Sequence, residues 1–264
     1  MPTSIVFVKH YWGFHLKIKE YTSPISGAVA MLVDHAGMPL QFANRYAYSM
    51  IEKPGNEILA RLCISQKHKN DQRALQRRTR AAKLKFDTQP EDIKWESGRG
   101  LDRQQFRPLL NRDWIDRKEN ILLSGSTGTG KTWLACAIAN ALLRQGISVR
   151  YIRTSRILED MRFAHLDGSI GRLRRSFARP NLLIIDDFGI SPIEQKSKED
   201  LFEVLEDRTD TGSTIIAGQL SPSEWHQFLD SEHLADAIMD RVIQRAHTID
   251  LKGESLRERI KSED

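Results

Sequence analysis

Cysteine is nearly missing from this chain: 264 residues hold two, Cys63 and Cys136. They lie far apart and show no metal-ligand spacing, so neither a disulfide framework nor a cysteine-based metal site is supported. Cys136 sits within Leu134-Ala135-Cys136-Ala137-Ile138, the setting of a buried apolar thiol. Long hydrophobic runs are missing too. No stretch approaches the roughly 20 apolar residues needed to span a bilayer. The run Ser26 to Val33 is short, is followed by Asp34, and lacks the preceding basic residues of a secretory leader. These absences lead us to expect a cytoplasmic protein without a membrane partner. The chain is long enough to bury a full α/β core and carry a small appended domain.

Charge is present but unevenly placed. The formal net charge is +5. The segment Lys67 to Lys85, KHKNDQRALQRRTRAAKLK, holds eight Lys/Arg and one acid, Asp71, giving +7 and leaving 5 − 7 = −2 for the remainder. A basic element on a near-neutral body is the electrostatic footprint of a nucleic-acid contact.

Four regions separate along the chain. Residues 1 to about 50 are apolar and aromatic, with strand-like alternation at Phe14, Leu16 and Ile18; Ala28 to Val33 followed by Asp34-His35-Ala36-Gly37 suggests a hairpin. From about Glu57 to Lys85 the pattern is helical and basic. Residues 86 to 119 form a connector punctuated by Pro90, Gly98, Gly100 and Pro108 and anchored by Trp95 and Trp114. We therefore divide the chain into an extension (1–56), a basic helical domain with connector (57–119) and a catalytic domain (120–264). In the last, strands at Ile121–Ser124, Ser148–Thr154, Leu182–Asp186, Thr214–Ala217 and His247–Leu251 alternate with helices near 132–145, 155–178 (interrupted at Asp167-Gly168), 197–209 and 233–245. That alternation implies βαβ units and a mostly parallel sheet, an α/β fold with helices on both faces.

Gly125-Ser126-Thr127-Gly128-Thr129-Gly130-Lys131-Thr132 fits G-x-x-x-x-G-K-[ST] in full, between an apolar strand and an apolar helix. Glycines let backbone N–H groups converge on a phosphate, and the helix N-terminus adds partial positive charge. Lys131 supplies a point charge for the β/γ-phosphates and the Thr132 hydroxyl a ligand for Mg²⁺. The run Leu182-Leu183-Ile184-Ile185-Asp186-Asp187 describes a buried parallel strand with carboxylates at its C-terminal edge, where open α/β sheets bind ligands. Asp186 is the expected Mg²⁺ partner, and Asp187 is the candidate to orient and deprotonate the attacking water. ATP and Mg²⁺ are therefore the expected cofactors.

Rival readings share some of these residues. Asp186-Asp187-Phe188-Gly189 also fits the D-x-x-G of GTPases, and Ser197-Lys198-Glu199-Asp200 superficially matches a guanine-reading S-K-x-D. The latter follows no strand and stands where a helix should begin, with Ser197 as N-cap. A small-molecule kinase would not obviously need paired acids at a strand end followed by distal arginines.

Several residues together resemble a known family. Asp186-Asp187-Phe188-Gly189 after a P-loop, then Ala237-Ile238-Met239-Asp240-Arg241, then Gly253-Glu254-Ser255-Leu256-Arg257, is similar to the DnaC/IstB branch of AAA+ ATPases, and within it to the IstB-type helpers encoded beside the transposase in bacterial insertion sequences. The basic helix, Glu91-Asp92-Ile93, Arg99-Gly100-Leu101-Asp102 and Trp114-Ile115 agree, so the resemblance runs from about Glu57 to Arg257. It implies an AAA+ three-layer fold, ATP hydrolysis, homo-oligomers, DNA and a transposase as partners. It also implies a sensor-1 role for Gln219, an arginine finger at Arg241 and a sensor-2 role for Arg257. Physically, a guanidinium near the γ-phosphate offsets charge in the transition state; the bland alternative is a surface arginine paired to Asp240 or Glu254. Two features depart from the family. Gly218 stands where a hydroxyl residue is expected before Gln219, and residues 1 to about 50 do not match the helical N-terminal segment.

Two groups of residues are candidates for DNA. Arg73, Arg77 and Arg80 share a helix face at i, i+4 and i+7, accompanied by Arg78, Lys83 and Lys85. Arg172, Arg174 and Arg175 lie in a stretch without acids from Gly168 to Pro180, a region the resemblance assigns to a DNA-facing channel. Both suit backbone contacts, and the scarcity of aromatic stacking platforms near them, Phe163 and Phe177 alone, favours duplex over single strands. The sequence reads best as a transposition helper ATPase. A helicase loader with the same core, or an ATP-dependent binding switch that does not hydrolyse, would share these residues.

Overall fold

The computed structural model describes residues 41–42, 55–93, 95, 98–229 and 232–256. The alternation around Phe14, Leu16 and Ile18, the expected hairpin and Arg257 all lie outside these residues. The chain divides into two compact units, Met1–Ala74 and Leu75–Asp264. Helix α1 spans Gly55–Ala82, which realises the basic helix; in the first unit it is the main described element. It stops where Lys83 adopts a left-handed φ of 53°.

In the second unit, β1 (Asn120–Gly125), β2 (Val149–Arg153), β3 (Leu182–Phe188), β4 (Ser213–Gly218) and β5 (Ala246–Leu251) pair in the order β2-β3-β4-β1-β5, every pairing parallel. All five strands fall where the alternation of apolar runs put them. The helices are α2 (Arg103–Phe106), α3 (Asp113–Asp116), α4 (Lys131–Arg144), α5 (Thr154–Leu166), α6 (Ile170–Ala178), α7 (Gln195–Arg208), α8 (Trp225–Leu229) and α9 (Glu232–Ile243). Helix α4 ends in a Schellman motif: Gly146, at φ 91°, and Ile147 donate their N–H groups to the Leu143 and Leu142 carbonyls. No helix among the described residues is long and apolar enough to cross a membrane.

Strand alternation sorts the core into two layers. Ile121 and Leu123 of β1, Ile184 of β3, and Ile215 and Ala217 of β4 face α4 and the connector, where Phe106, Leu109, Trp114 and Ile115 are buried. Leu122, Leu183, Ile185 and Ile216 face the opposite layer, built from α5 to α9. The result is the expected three-layer architecture. The tryptophan anchors hold: Trp114 Nε1 donates to Leu109 O at 2.9 Å, and Trp95 meets Phe106 edge-on at 5.7 Å.

One boundary differs from expectation. Helix α7 starts at Gln195 with Glu194 as N-cap, not at Ser197. Ser197, Lys198 and Asp200 are buried; Lys198 Nζ donates to Leu229 O, and Asp200 binds His165 and Arg174. Those residues fasten helices together, which removes the guanine-reading alternative.

A buried arginine closes the end of the sheet far from the phosphate loop. Arg208 is 1% exposed and donates to the carbonyls of Phe177, Pro180 and Ser213 and to Thr214 Oγ1, tying α6, the loop before β3 and β4 to α7. Burial pulls its pKa down to about 10, so it remains protonated at neutral pH. Replacing it strands several buried acceptors, each costly without a donor. Arg208→Met should lower unfolding free energy by about 3 kcal/mol or more. Urea denaturation checks this, and a loss under about 1 kcal/mol would show that water replaces the guanidinium at little cost.

Candidate nucleotide site

The loop after β1 and the end of β3 lie at the same edge of the sheet, because all strands run the same way and β4 alone separates β1 from β3. That edge, beside the strand where the order reverses, is where open α/β sheets take ligands. Gly130 caps α4 at φ 96°, a left-handed conformation that favours glycine. The first amides of α4 have no intrahelical acceptor and point out of the helix start. Lys131 Nζ donates to Gly125 O and Ser126 O at 2.6 and 2.7 Å, which draws its ammonium into the loop. Thr129 closes the turn, donating from Oγ1 to Ser126 O at 2.9 Å.

The structure joins loop and acid directly. Thr132 Oγ1 lies 2.9 Å from Asp186 Oδ1 and 3.0 Å from Oδ2. Asp186 is 1% exposed, and Tyr151 of β2 donates its hydroxyl to Oδ2 at 2.6 Å. Burial, then the neighbouring carboxylate, push the Tyr151 phenol far above its ordinary pKa, so it stays a donor. Thr154 Oγ1 donates to the Asp186 carbonyl at 2.9 Å. A hydroxyl and one buried carboxylate, hard oxygen donors beside a phosphate cradle, suit Mg²⁺, which takes few protein ligands and completes its shell with phosphate and water. Among the described residues no group of three or more His, Cys, Asp or Glu forms an alternative metal cage.

Asp187 is turned differently from its neighbour. It adopts φ 60°, and the β3–β4 register shifts between Ile185 and Phe188, so a bulge carries its side chain out of the ladder. Its carboxylate is 37% exposed and pairs with Arg153 at 3.7 Å. The acids thus divide into a buried, fixed group and a half-exposed one. The same bulge accounts for Gly218: a Cβ there would collide with the Phe188 carbonyl oxygen, leaving no room for the hydroxyl residue expected before Gln219. Gln219 itself is exposed at the C-terminal end of β4, on the ligand edge.

Two segments distant in sequence close over the phosphate loop. Leu256 N–H donates to Gly128 O at 3.0 Å, and Ser255 lies against Gly128 so closely that no Cβ would fit. From the other side, Arg99 Nη2 donates to Thr129 O at 3.0 Å while its carbonyl accepts from Lys252 N–H at 2.9 Å.

Arg241 sits at the opposite edge of the sheet. Asn120, the first residue of β1, donates to the carbonyls of Arg241 and Val242 at 3.3 and 3.1 Å. Five residues of strand, roughly 17 Å, separate that point from Gly125 at the other end of β1. The Arg241 side chain pairs with Glu206, reaches Asp240 at 3.6 Å, and lies over the Phe202 ring at 5.4 Å.

The basic residues expected to face DNA separate on inspection. Arg73, Arg77, Arg80, Lys83, Arg172 and Arg175 are exposed. Three others make contacts within the chain. Arg78 Nε donates to Leu143 O at 3.3 Å, fastening α1 to the end of α4. Arg174 bonds the buried Asp200 at 2.6 Å and Glu203 at 3.5 Å, on the inward side of α6. Lys85 turns inward to Asp186, 3.9 Å from Oδ2. Tyr151, Arg153, Arg99 and Lys85 are the site residues that no motif spacing announced; each reaches the site through packing, although Arg99 stands inside the Arg99–Asp102 segment.

Residues 50–264 match the family model of the IstB-like ATP binding proteins. An insertion sequence ATP-binding protein of Sinorhizobium fredii is 45% identical over 185 residues, covering 70% of this chain and 76% of the relative. A protein so described in an insertion sequence of Mycobacterium tuberculosis is 33% identical over 204 residues, 77% of this chain and 81% of the relative. Among solved structures, the fold is similar to the DnaC helicase loader (TM-score 0.56, 18% identity, 65% of this chain and 100% of that one). It is also similar to the replication initiator DnaA bound to AMPPCP and single-stranded DNA (TM-score 0.53, 21% identity, 68% and 56%). With a complete phosphate loop, a buried acid bonded to it and relatives in insertion sequences, the chain belongs to the IstB-like ATP-binding proteins and has the AAA+ fold.

Proposed function

We propose that this protein is a Mg²⁺-dependent ATPase that assembles on duplex DNA in the cytoplasm and assists the transposase of its element. The observation that carries the catalytic part is the direct bond between Thr132 and buried Asp186 at the mouth of the phosphate loop. In this reading the loop amides and Lys131 bind the β- and γ-phosphates, and Thr132 and Asp186 hold the metal. Mg²⁺ would supply charge neutralisation on the phosphate oxygens. Asp187, half-exposed beside that pair, orients water and takes its proton. Gln219, on the adjacent strand end, completes the phosphate surroundings, and Arg257 takes the sensor-2 role that the resemblance implies. Arg241 cannot reach its own nucleotide from the far edge, which supports its acting on a neighbouring subunit in a homo-oligomer. The exposed arginines of α1 and α6 supply phosphate contacts for DNA.

A second reading has one specific observation in its favour. Asp187 pairs with Arg153 at 3.7 Å, so its carboxylate is turned towards a guanidinium rather than left open to a water. A binding switch that rarely hydrolyses ATP would fit that pairing, and turnover measured with and without duplex DNA separates it from an ATPase.

Lys131→Ala should reduce nucleotide affinity at least about tenfold, roughly 1.4 kcal/mol, measured by fluorescence of a labelled analogue. Near-wild-type affinity would remove the phosphate-loop assignment. On the DNA side, reversing Arg73, Arg77 and Arg80 to Glu should flatten the salt dependence of duplex binding by about 0.9 in log–log slope per lost phosphate contact. An unchanged slope would mean this face is merely solvated.

The oligomeric mechanism has its own test. Asp187→Asn subunits keep a finger but lose the base; Arg241→Ala subunits keep the base but lose the finger. Neither alone should hydrolyse ATP, and mixing them should restore part of the activity in proportion to shared interfaces. A flat baseline across mixing ratios, with mixed oligomers verified, rules out the role in trans. Full activity of Arg241→Ala alone would make it a structural partner of Glu206.

A further inference from the structure

The buried Asp186 carboxylate faces an ammonium supplied by the segment that ends the basic helix. A carboxylate as buried as Asp186 needs compensation for its charge. Thr132 and Tyr151 supply hydrogen bonds, and the ammonium of Lys85, itself 21% exposed, faces Oδ2 at 3.9 Å. Lys85 lies three residues beyond the end of α1. The intervening chain is held firmly: Ala82 is fully buried, Lys83 is locked at positive φ, and Leu84 packs on the core beneath α4. Just beyond, Thr88 Oγ1 donates to Trp133 O and Asn140 Nδ2 donates to Thr88 O, clamping the C-terminal side of the Lys85 turn to α4. The ammonium therefore points at Asp186 because the backbone on either side is fixed.

We propose that Lys85 is the resident counter-ion of Asp186 and is displaced when Mg²⁺ arrives with nucleotide, so that the Lys83–Phe86 turn registers metal occupancy. This rests on reading Asp186 as the metal carboxylate. An ammonium and a divalent cation repel each other and compete for the same buried oxygens, so the two cannot share Oδ2 at full strength. Loss of the Lys85 contact leaves the turn held by Leu84 and Thr88 but without its polar anchor. The turn is continuous with the last turns of α1, whose Arg77 and Arg80 are exposed, so metal occupancy is transmitted to the end of the proposed DNA-facing element. By reciprocity, whatever fixes that turn changes the affinity for metal.

The experiment uses the full chain, a fluorescent non-hydrolysable ATP analogue and Mg²⁺ titrations of wild type, Lys85→Met and Lys85→Arg. Removing the competing charge in Lys85→Met should lower the half-saturating Mg²⁺ concentration by about threefold or more, while Lys85→Arg stays near wild type. Affinity for the analogue at saturating Mg²⁺ should be alike in all three. Amide hydrogen exchange of Lys83–Phe86 should rise in the wild type on adding Mg²⁺ and analogue together. Equal Mg²⁺ midpoints in wild type and Lys85→Met overturn the proposal, as does weaker analogue binding by Lys85→Met at saturating Mg²⁺, which would make Lys85 a phosphate ligand. Should Lys85→Met fail to fold, the wild-type exchange measurement decides: an unchanged turn overturns the proposal. A wild type that binds no analogue at any Mg²⁺ concentration overturns the nucleotide site itself and this inference with it, whereas intact binding with equal midpoints overturns the counter-ion alone.

Discussion

The contact between Thr132 and Asp186 is the constraint on which the rest of the site depends. It ties the first turn of α4 to the end of β3, two segments 54 residues apart, and fixes the phosphate loop relative to the acids. Burying that carboxylate is unfavourable unless its lone pairs are satisfied, and the surrounding sequence supplies Thr132, Tyr151 and Lys85 for the purpose. The parallel sheet makes the arrangement possible. With every strand running one way, the loop after β1, the acids after β3 and Gln219 after β4 emerge at one edge.

The two adjacent acids show how one backbone irregularity separates chemical roles. Asp186 stays in the ladder, in register with Arg153, while the bulge turns Asp187 out to partial solvent. Without the bulge, strand alternation would send the second carboxylate into the opposite apolar layer beside Leu183 and Ile185. Accommodating the bulge requires glycine at 218, so the departure from the family pattern there compensates for local geometry.

Charge on this chain divides between commitments inside and outside. Arg208, Lys198 and Asp200 are buried and satisfied by carbonyls or by each other's neighbours; they hold α6, α7 and α8 to the sheet. Arg73, Arg77, Arg80, Arg172 and Arg175 remain on the surface. Arg241 stands between these classes, paired with Glu206 yet about a third exposed and remote from its own phosphate loop.

By itself the sequence determined the strands, the layers, the phosphate loop and the paired acids, because each is written in local periodicity or in a contiguous motif whose chemistry needs those residue types in that order. The apolar run ending at Asp186 has the length and content of a buried strand, and Gly125 to Thr132 has the glycine spacing that gathers amides around an anion. Tertiary structure alone decided which charges were spoken for. Lys85, Arg78 and Arg174 read as members of basic clusters, since spacing reports helix faces and not what packs against them; folding turned them to Asp186, Leu143 and Asp200. Tyr151 was invisible for the same reason: its bond to Asp186 comes from β2 lying beside β3. Strand order in the sheet is set by long-range packing, which no window along the chain contains.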